Sequence, residues 1–200
     1  MTPVLILFAH PAFERSRVHR RLAEAVAELS GVTFHDLYQA YPDFDVDVRR
    51  EQELLAAHDV VVLQHPFYWY STPPLVKQWE DLVLEHGWAY GTGGTALHGK
   101  RLLSAISAGG PQRAYCADGY NRFSVRQLLA PLEQTARLCG MEYLPPFVVF
   151  GTLGLEDERL RSAAAEYVRL IEALRDGRVD LDRARETDCL PADVSTVLRT

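Results

Sequence analysis

The sequence predicts an α/β fold, a parallel β-sheet with helices on both faces. Three observations carry that prediction. Strand-like and helix-like segments alternate along the chain, which is the pattern of a covered parallel sheet. The first and third strand candidates, Val4 to Ala9 and Val60 to Leu63, are unbroken apolar runs, as strands buried on both faces are. The 200 residues are enough for one domain with a sizeable core.

The elements follow in order. Val4 to Ala9 is the first strand, and His10-Pro11 ends it. Ser16 N-caps a helix carrying Val18, Leu22, Ala25, Val26 and Leu29 on one stripe, and Gly31 stops it. Val32 to Leu37 alternates and reads as a second, edge-like strand. An acidic turn around Pro42 leads to a short helix with Leu54 and Leu55 inward, then to the third strand. Pro66 to Ser71 is an aromatic loop. Pro73 and Pro74 open a helix to about Glu85, in the first turn where a missing N–H costs nothing. His86 to Gly99 is a long glycine-bearing loop, either functional or mobile. Arg101 to Ser107 is the fourth strand. Ser124 and Gln127 form a capping box for a helix that must kink or restart at Pro131, with Gly140 at its end. Tyr143 to Phe150 is the fifth strand, and about Asp157 to Arg175 the last helix. After Gly177 the composition turns polar and weakly periodic. The domain is therefore set at 1–177, and 178–200 is read as a C-terminal tail.

Composition excludes several functions. The net charge of −6 argues against a nucleic-acid binder, whose mark is a basic patch. No apolar run approaches the roughly 20 residues that span a bilayer. The N-terminus lacks the basic region and cleavage site of a signal peptide. Cys116, Cys139 and Cys189 form no CxxC pair, so neither a disulfide framework nor a zinc site is indicated, and a cytoplasmic setting is expected.

In a sheet of this kind ligands sit beyond the carboxyl ends of the strands. Three loops lie there. The first runs His10-Pro-Ala-Phe-Glu-Arg-Ser16-Arg-Val-His19. It has no GxGxxG and no Walker signature. Its helix start favours a phosphate, or is an ordinary N-cap beside surface arginines. The second holds Phe67-Tyr68-Trp69-Tyr70, four aromatics that cannot all face one core. It is a platform for a planar ring, or a subunit contact. The third is Ser107-Ala108-Gly109-Gly110-Pro111, where paired glycines admit close backbone approach to a ligand, or make a plain turn. The Trp88 loop is a lid or an interface flap. No GxSxG elbow anchors a serine hydrolase. Asp43, Asp45 and Asp47 lack the glycine and closing glutamate of a calcium loop.

Taken together these segments are more specific than any one. They include Gln64-His65-Pro66-x-x-Trp69-Tyr70-Ser71-x-Pro73-Pro74-Leu75-x-Lys77-x-Trp79, Gly87-Trp88-Ala89-Tyr90-Gly91, Leu97-x-Gly99-Lys100, Gly109-Gly110 and Leu138-x-Gly140-Met141. The chain resembles the flavodoxin-like NAD(P)H:quinone oxidoreductases over roughly residues 4 to 175. Through Leu37-Tyr38-Gln39-x-Tyr41-Pro42-Asp43-Phe44 and Leu144-Pro145-Pro146-Phe147 it is similar to the ancillary oxidoreductases of bacterial glutathione-gated potassium efflux antiporters.

The resemblance implies a five-stranded sheet of order 2-1-3-4-5 in a three-layer sandwich. It implies a homodimer with a non-covalent flavin, FMN before FAD, reduced by NADPH or NADH and reoxidised by a quinone or related electrophile in a ping-pong hydride relay. An antiporter in the membrane is the further partner it suggests, with the enzyme at the membrane's inner face. It places the phosphate on His10, Ser16, Arg17, Val18 and His19. It places the ring on Phe67, Tyr68, Trp69 and Tyr70 and on Ser107, Ala108, Gly109 and Gly110. Tyr115, with Gly109 and Gly110, is to assist charge on the reduced ring. Two departures stand out. Ser107 and Ala108 replace a threonine pair, and Gly119-Tyr120-Asn121 holds no histidine where larger members have one, leaving Tyr120 or Asn121 as its partial replacement. No metal is expected.

Overall fold

The computed structural model describes residues 2–199. Six strands form one parallel sheet: β1 (Val4–Phe8), β2 (Val32–Asp36), β3 (Val60–Pro66), β4 (Arg101–Ala108), β5 (Glu142–Tyr143) and β6 (Phe147–Phe150). The order is β2-β1-β3-β4-β5, with β6 also paired to β4. The expected five-stranded order therefore holds, with one correction. The fifth strand is two pieces, because Pro145 and Pro146 have no N–H to give the ladder between them.

Alternation along β1, β3 and β4 splits the core in two. Val4, Ile6, Val60, Val62, Leu103 and Ala105 face one layer, with α1 (Arg17–Val26) and α7 (Asp157–Arg175). Leu5, Leu7, Val61, Leu63, Leu102 and Ile106 face the other. That layer includes α3 (Val48–Ala57), α4 (Pro74–Val83), α5 (Val125–Leu128) and α6 (Ala130–Leu138). A one-turn α2 (Leu37–Ala40) follows β2. The Ser124–Gln127 capping box forms, and the helix restarts at Ala130 with Pro131 in its first turn. Gly140, at φ +70°, closes α6. The first helix is shorter than expected. It ends at Val26, where Leu29 N–H turns back to the Val26 carbonyl, and Gly31 instead leads into β2.

One buried polar network braces the second layer. Glu51 on α3 accepts from His35 Nε2 at 2.7 Å, Tyr41 Oη at 2.6 Å and Trp79 Nε1 at 2.8 Å. Burial pushes the Glu51 carboxyl up, but the hydrogen bonds from His35, Tyr41 and Trp79 together outweigh it and hold it below the usual range.

The segment after Gly177 is docked on the domain. It contains α8 (Leu181–Arg185), buries Val179, Ala184, Leu190, Val194 and Val197 in the first layer, and closes on itself through a Val179–Leu198 bridge. Leu190 N–H donates to the Pro146 carbonyl, and Val194 N–H to Glu166 on α7.

Candidate active site

The three strand-end loops meet at the carboxyl edge of β1, β3 and β4. Backbone bonds tie them: Ala9 N–H to Gln64 carbonyl at 2.9 Å, Phe67 N–H to Ser107 carbonyl at 2.9 Å, and Gly151 N–H to Gly110 carbonyl at 2.9 Å.

In the first loop, Ser16 caps α1 by accepting from His19 N–H at 3.1 Å. The N–H groups of Arg17 and Val18, in the first turn of α1, have no intrahelical acceptor, the kind of group that suits an anion. The His19 N–H donates to the cap, and its ring is buried with Nε2 2.9 Å from Ser107 Oγ. The Val18 side chain is buried too, and the Arg17 guanidinium is held by Asp157 at 2.6 Å and by the Leu155 carbonyl. What Arg17 and Val18 offer is backbone.

Three imidazoles stand under this cradle. His10 accepts the Ala12 N–H at Nδ1, so its neutral ring carries the proton on Nε2. The His10 and His19 rings are 5.4 Å apart. His65 is fully buried and donates Nδ1–H to the Pro66 carbonyl at 2.9 Å. Burial depresses all three: it lowers His10, takes His19 well below its ordinary value with the charges of His10 and His65 adding to it, and brings His65 to about 4.

The second loop is a strained turn. Trp69 and Tyr70 both sit in the left-handed region, at φ +48° and +64°, and Tyr68 and Ser71 pair across the turn. Consecutive aromatics at positive φ are costly and mark a functional constraint. Trp69 is 92% exposed, so it is no core residue. Tyr68 and Tyr70 are also exposed, while Phe67 packs inward against Tyr70 and Tyr115.

In the third loop, Gly110 is close-packed: a Cβ there would stand a tight 3.3 Å from the Tyr115 ring. Tyr115 packs between Phe67 and Phe150, at ring distances of 6.2 and 5.7 Å. Tyr70, Gly110, Arg113, Tyr115 and Asn121 line an open cleft of ≈ 530 Å³. Tyr120 is 89% exposed and Tyr70 Oη donates to Asn121 Oδ1 at 3.1 Å, so Asn121 is the better integrated of the two expected replacements. Leu153, whose side chain lies 3.7 Å from where a Gly109 Cβ would be, was not expected here. Only its position after a strand end signals it.

The Trp88 loop is folded onto the body. Ala89 and Leu97 are buried in the second layer, and Gly87 N–H donates to the Tyr90 carbonyl at 2.7 Å. It makes no extended excursion.

A family model described as flavodoxin-like fold matches residues 2–171. An uncharacterised NAD(P)H oxidoreductase of Bacillus subtilis is 46% identical over 169 residues, covering 84% of this chain and 97% of that one. This chain belongs to the flavodoxin-like NAD(P)H oxidoreductase family. Among solved family structures, general stress protein 14 of Treponema denticola, in complex with FMN, is 42% identical with a TM-score of 0.82, covering 86% of this chain and 99% of that chain. An NADPH-quinone reductase from P. pentosaceus is 34% identical with a TM-score of 0.77, covering 84% of this chain and 96% of that one. Family membership makes the protein an oxidoreductase enzyme. The family match ends before the docked C-terminal segment begins. Of the residues behind the narrower antiporter resemblance, Leu37 and Tyr41 are buried and Tyr41 donates to Glu51, so those two serve the core.

The site fits a flavin mononucleotide. Free N–H groups at a ten-residue helix suit its phosphate, the outward aromatic turn suits its ring, and the side-chain-free Gly109-Gly110 pair leaves room against that ring. Because Trp69 is exposed, Trp69→Ala is expected to leave the melting temperature unchanged while weakening FMN about fivefold, the loss of about 1 kcal/mol of stacking. Melting of the apoprotein and fluorescence titration with FMN check it. A large melting loss with unchanged affinity contradicts it.

Proposed function

We propose that this protein is an FMN-dependent NAD(P)H:quinone oxidoreductase of the cytoplasm, working by ping-pong two-electron transfer. The observation that carries the reading is the meeting of a helix-start anion cradle, an exposed aromatic turn and a Gly-Gly loop at one sheet edge. The FMN held by the Treponema relative and the names of the other relatives support it. Among the described residues no helix is long and apolar enough to cross a membrane.

Bound FMN supplies the ability to accept a hydride and pass on two electrons. The protein's residues do the rest. Arg17 and Val18 N–H groups hold the phosphate, and Ser16 keeps the helix start in register. The aromatic turn and the Ser107-Ala108-Gly109-Gly110 segment orient the ring. In this reading the cleft lined by Tyr70, Gly110, Tyr115 and Asn121 takes the nicotinamide nucleotide and the quinone in turn. Anaerobic rapid mixing tests this. NADPH alone is expected to bleach the flavin, and benzoquinone added afterwards to restore it. Bleaching that requires the quinone to be present contradicts ping-pong.

The active form in this reading is a homodimer. Tyr68, Trp69 and Tyr70 are adjacent exposed aromatics, the kind of surface that a two-fold partner would cover. Specific activity that is lost on dilution, together with a slower sedimenting species, supports the dimer. A fully active monomer removes it. Attachment to a membrane antiporter is the further partner reading, and pull-down with the cytosolic domain of such an antiporter tests it.

A further inference from the structure

We propose that Arg113 selects NADPH over NADH, by holding the 2′-phosphate of the adenosine half in the cleft beside the Gly-Gly loop. The inference rests on the oxidoreductase reading above and deepens it by naming the reductant.

The cleft, at ≈ 530 Å³, has the size of a small-molecule or cofactor site. Gly110, which the reading above sets against the ring, lines it, and so do Arg113 and Tyr120 from the loop that follows. A nucleotide whose nicotinamide lies on the ring has those two side chains within the same cleft. The lining holds one cation, Arg113, and no carboxylate. Arg17 is held by Asp157 and Arg126 by Glu133, but the exposed Arg113 guanidinium has no ion pair and no hydrogen bond among the described residues.

Nucleotide sites read the adenosine ribose by this choice of charge. A carboxylate accepts from the 2′-hydroxyl of NADH, whereas an arginine accommodates the 2′-phosphate of NADPH. A cleft with the arginine and without the carboxylate fits NADPH. The guanidinium meets phosphate oxygens with paired N–H donors in a fixed plane. Tyr120, 89% exposed, offers a bare aromatic face to adenine, which the two nucleotides share.

The loop holds Arg113 in a fixed place. The residue sits in a single 3-10 turn, Gln112–Ala114. Ala114 N–H donates to the Pro111 carbonyl at 2.9 Å, and Asn121 N–H to the Ala114 carbonyl at 2.9 Å, so the loop closes on itself. Gly119 lies within that closure, where a Cβ would stand 2.6 Å from the carbonyl oxygens of Arg113 and Ala114. The turn is thus formed before a nucleotide arrives, and binding orders one side chain instead of a loop.

The test uses the full-length protein loaded with FMN, with benzoquinone as acceptor. Wild type is expected to show kcat/KM for NADPH roughly tenfold above that for NADH. Arg113→Ala is expected to bring the NADPH value down to that of NADH and leave the NADH value unchanged, while Arg113→Lys keeps most of the preference. Titration calorimetry with 2′,5′-ADP and 5′-ADP, which carry no reducing ring, reads the same difference without turnover. Wild type is expected to bind 2′,5′-ADP roughly tenfold more tightly, and Arg113→Ala to bind both alike. A wild type that uses both nucleotides equally or prefers NADH overturns the proposal, as does a preference that survives in Arg113→Ala. Equal weakening of both nucleotides in that variant also overturns it, since the guanidinium would then serve the pyrophosphate they share. Should Arg113→Ala not fold, Arg113→Gln takes its place. FMN-loaded protein that oxidises neither nucleotide overturns the function reading and this inference with it; normal turnover without the preference overturns the inference only.

Discussion

Glu51→Ala is expected to be the most destabilising single substitution considered for this fold, at about 3–5 kcal/mol. Three donors converge on that carboxylate from three elements: His35 from β2, Tyr41 from the turn after α2, and Trp79 from α4. Alanine leaves an indole N–H, a phenol and an imidazole buried without their acceptor, and each unsatisfied group costs about 1–3 kcal/mol. It also leaves a void that the rigid neighbours fill poorly. For a chain of this size each 1 kcal/mol moves the melting temperature by about 2–4 °C, so a fall on the order of 10 °C is expected. Urea and thermal melts of the apoprotein check it. A loss below about 1 kcal/mol would mean that the network is not holding the second layer together.

The second large effect is acid sensitivity in a defined window. His65 is buried with its folded-state pKa brought down to about 4 from an ordinary 6.5, and His19 lies well below that ordinary value too. Between those limits the unfolded chain takes up a proton that the folded chain refuses. Stability is therefore complete above about 6.5 and falls as the pH drops toward 4. His65 alone accounts for about 3 kcal/mol over that interval. Glu80 opposes this. Burial raises its carboxyl to about 7, with Lys77 pulling down and Asp81 pushing up, so the carboxyl costs stability as pH rises from 4.5 toward 7. The two slopes partly cancel in the wild type. Glu80→Gln removes the opposing one and is expected to steepen the acid loss between pH 6.5 and 4. Urea melts across that range measure both slopes. A flat profile in Glu80→Gln would show that the histidines are free to take up protons in the fold.

Much of the architecture was legible because it is written in local patterns. The unbroken apolar runs at Val4 and Val60 could be covered only by helices on both sides, and both strands are buried along their length. Ser124, Gln127 and Pro131 determine a helix start and restart by chemistry that acts within four residues. The three loops at the strand ends followed from topology. What was not legible depends on residues distant in sequence. Nothing near Glu51 signals that His35, Tyr41 and Trp79 will meet it. The C-terminal segment looked like a tail because Val179, Leu190, Val194 and Val197 are each anchored by the domain's surface and share no helical stripe. The resemblance placed His19 in the phosphate cradle; that its ring also meets Ser107 depends on the fold and has no local signal. The Trp88 loop was read as a lid or an interface flap, and nothing in its glycines signals that buried Ala89 and Leu97 hold it to the body. Strain at Trp69 and Tyr70 has no sequence signature, since neither residue favours positive φ.

The central claim is that Arg17 and Val18 N–H groups hold the phosphate of FMN while the aromatic turn and the Gly-Gly loop hold its ring. Calorimetric titration of the apoprotein with FMN and with riboflavin, which lacks the phosphate, tests it most directly. Two charge-assisted bonds of about 1.5 kcal/mol or more each are at stake, so FMN is expected to bind roughly a hundredfold more tightly than riboflavin. Arg17→Pro sharpens the comparison. Proline at the first helical position removes one N–H without harming the helix, and Ser16, at φ −92° and ψ 103°, is already extended as a residue before proline must be. Arg17→Ala is the control that loses the guanidinium and keeps the N–H. The account predicts that Arg17→Pro weakens FMN about tenfold beyond Arg17→Ala and leaves riboflavin affinity unchanged. Equal affinity for FMN and riboflavin in the wild type would contradict it.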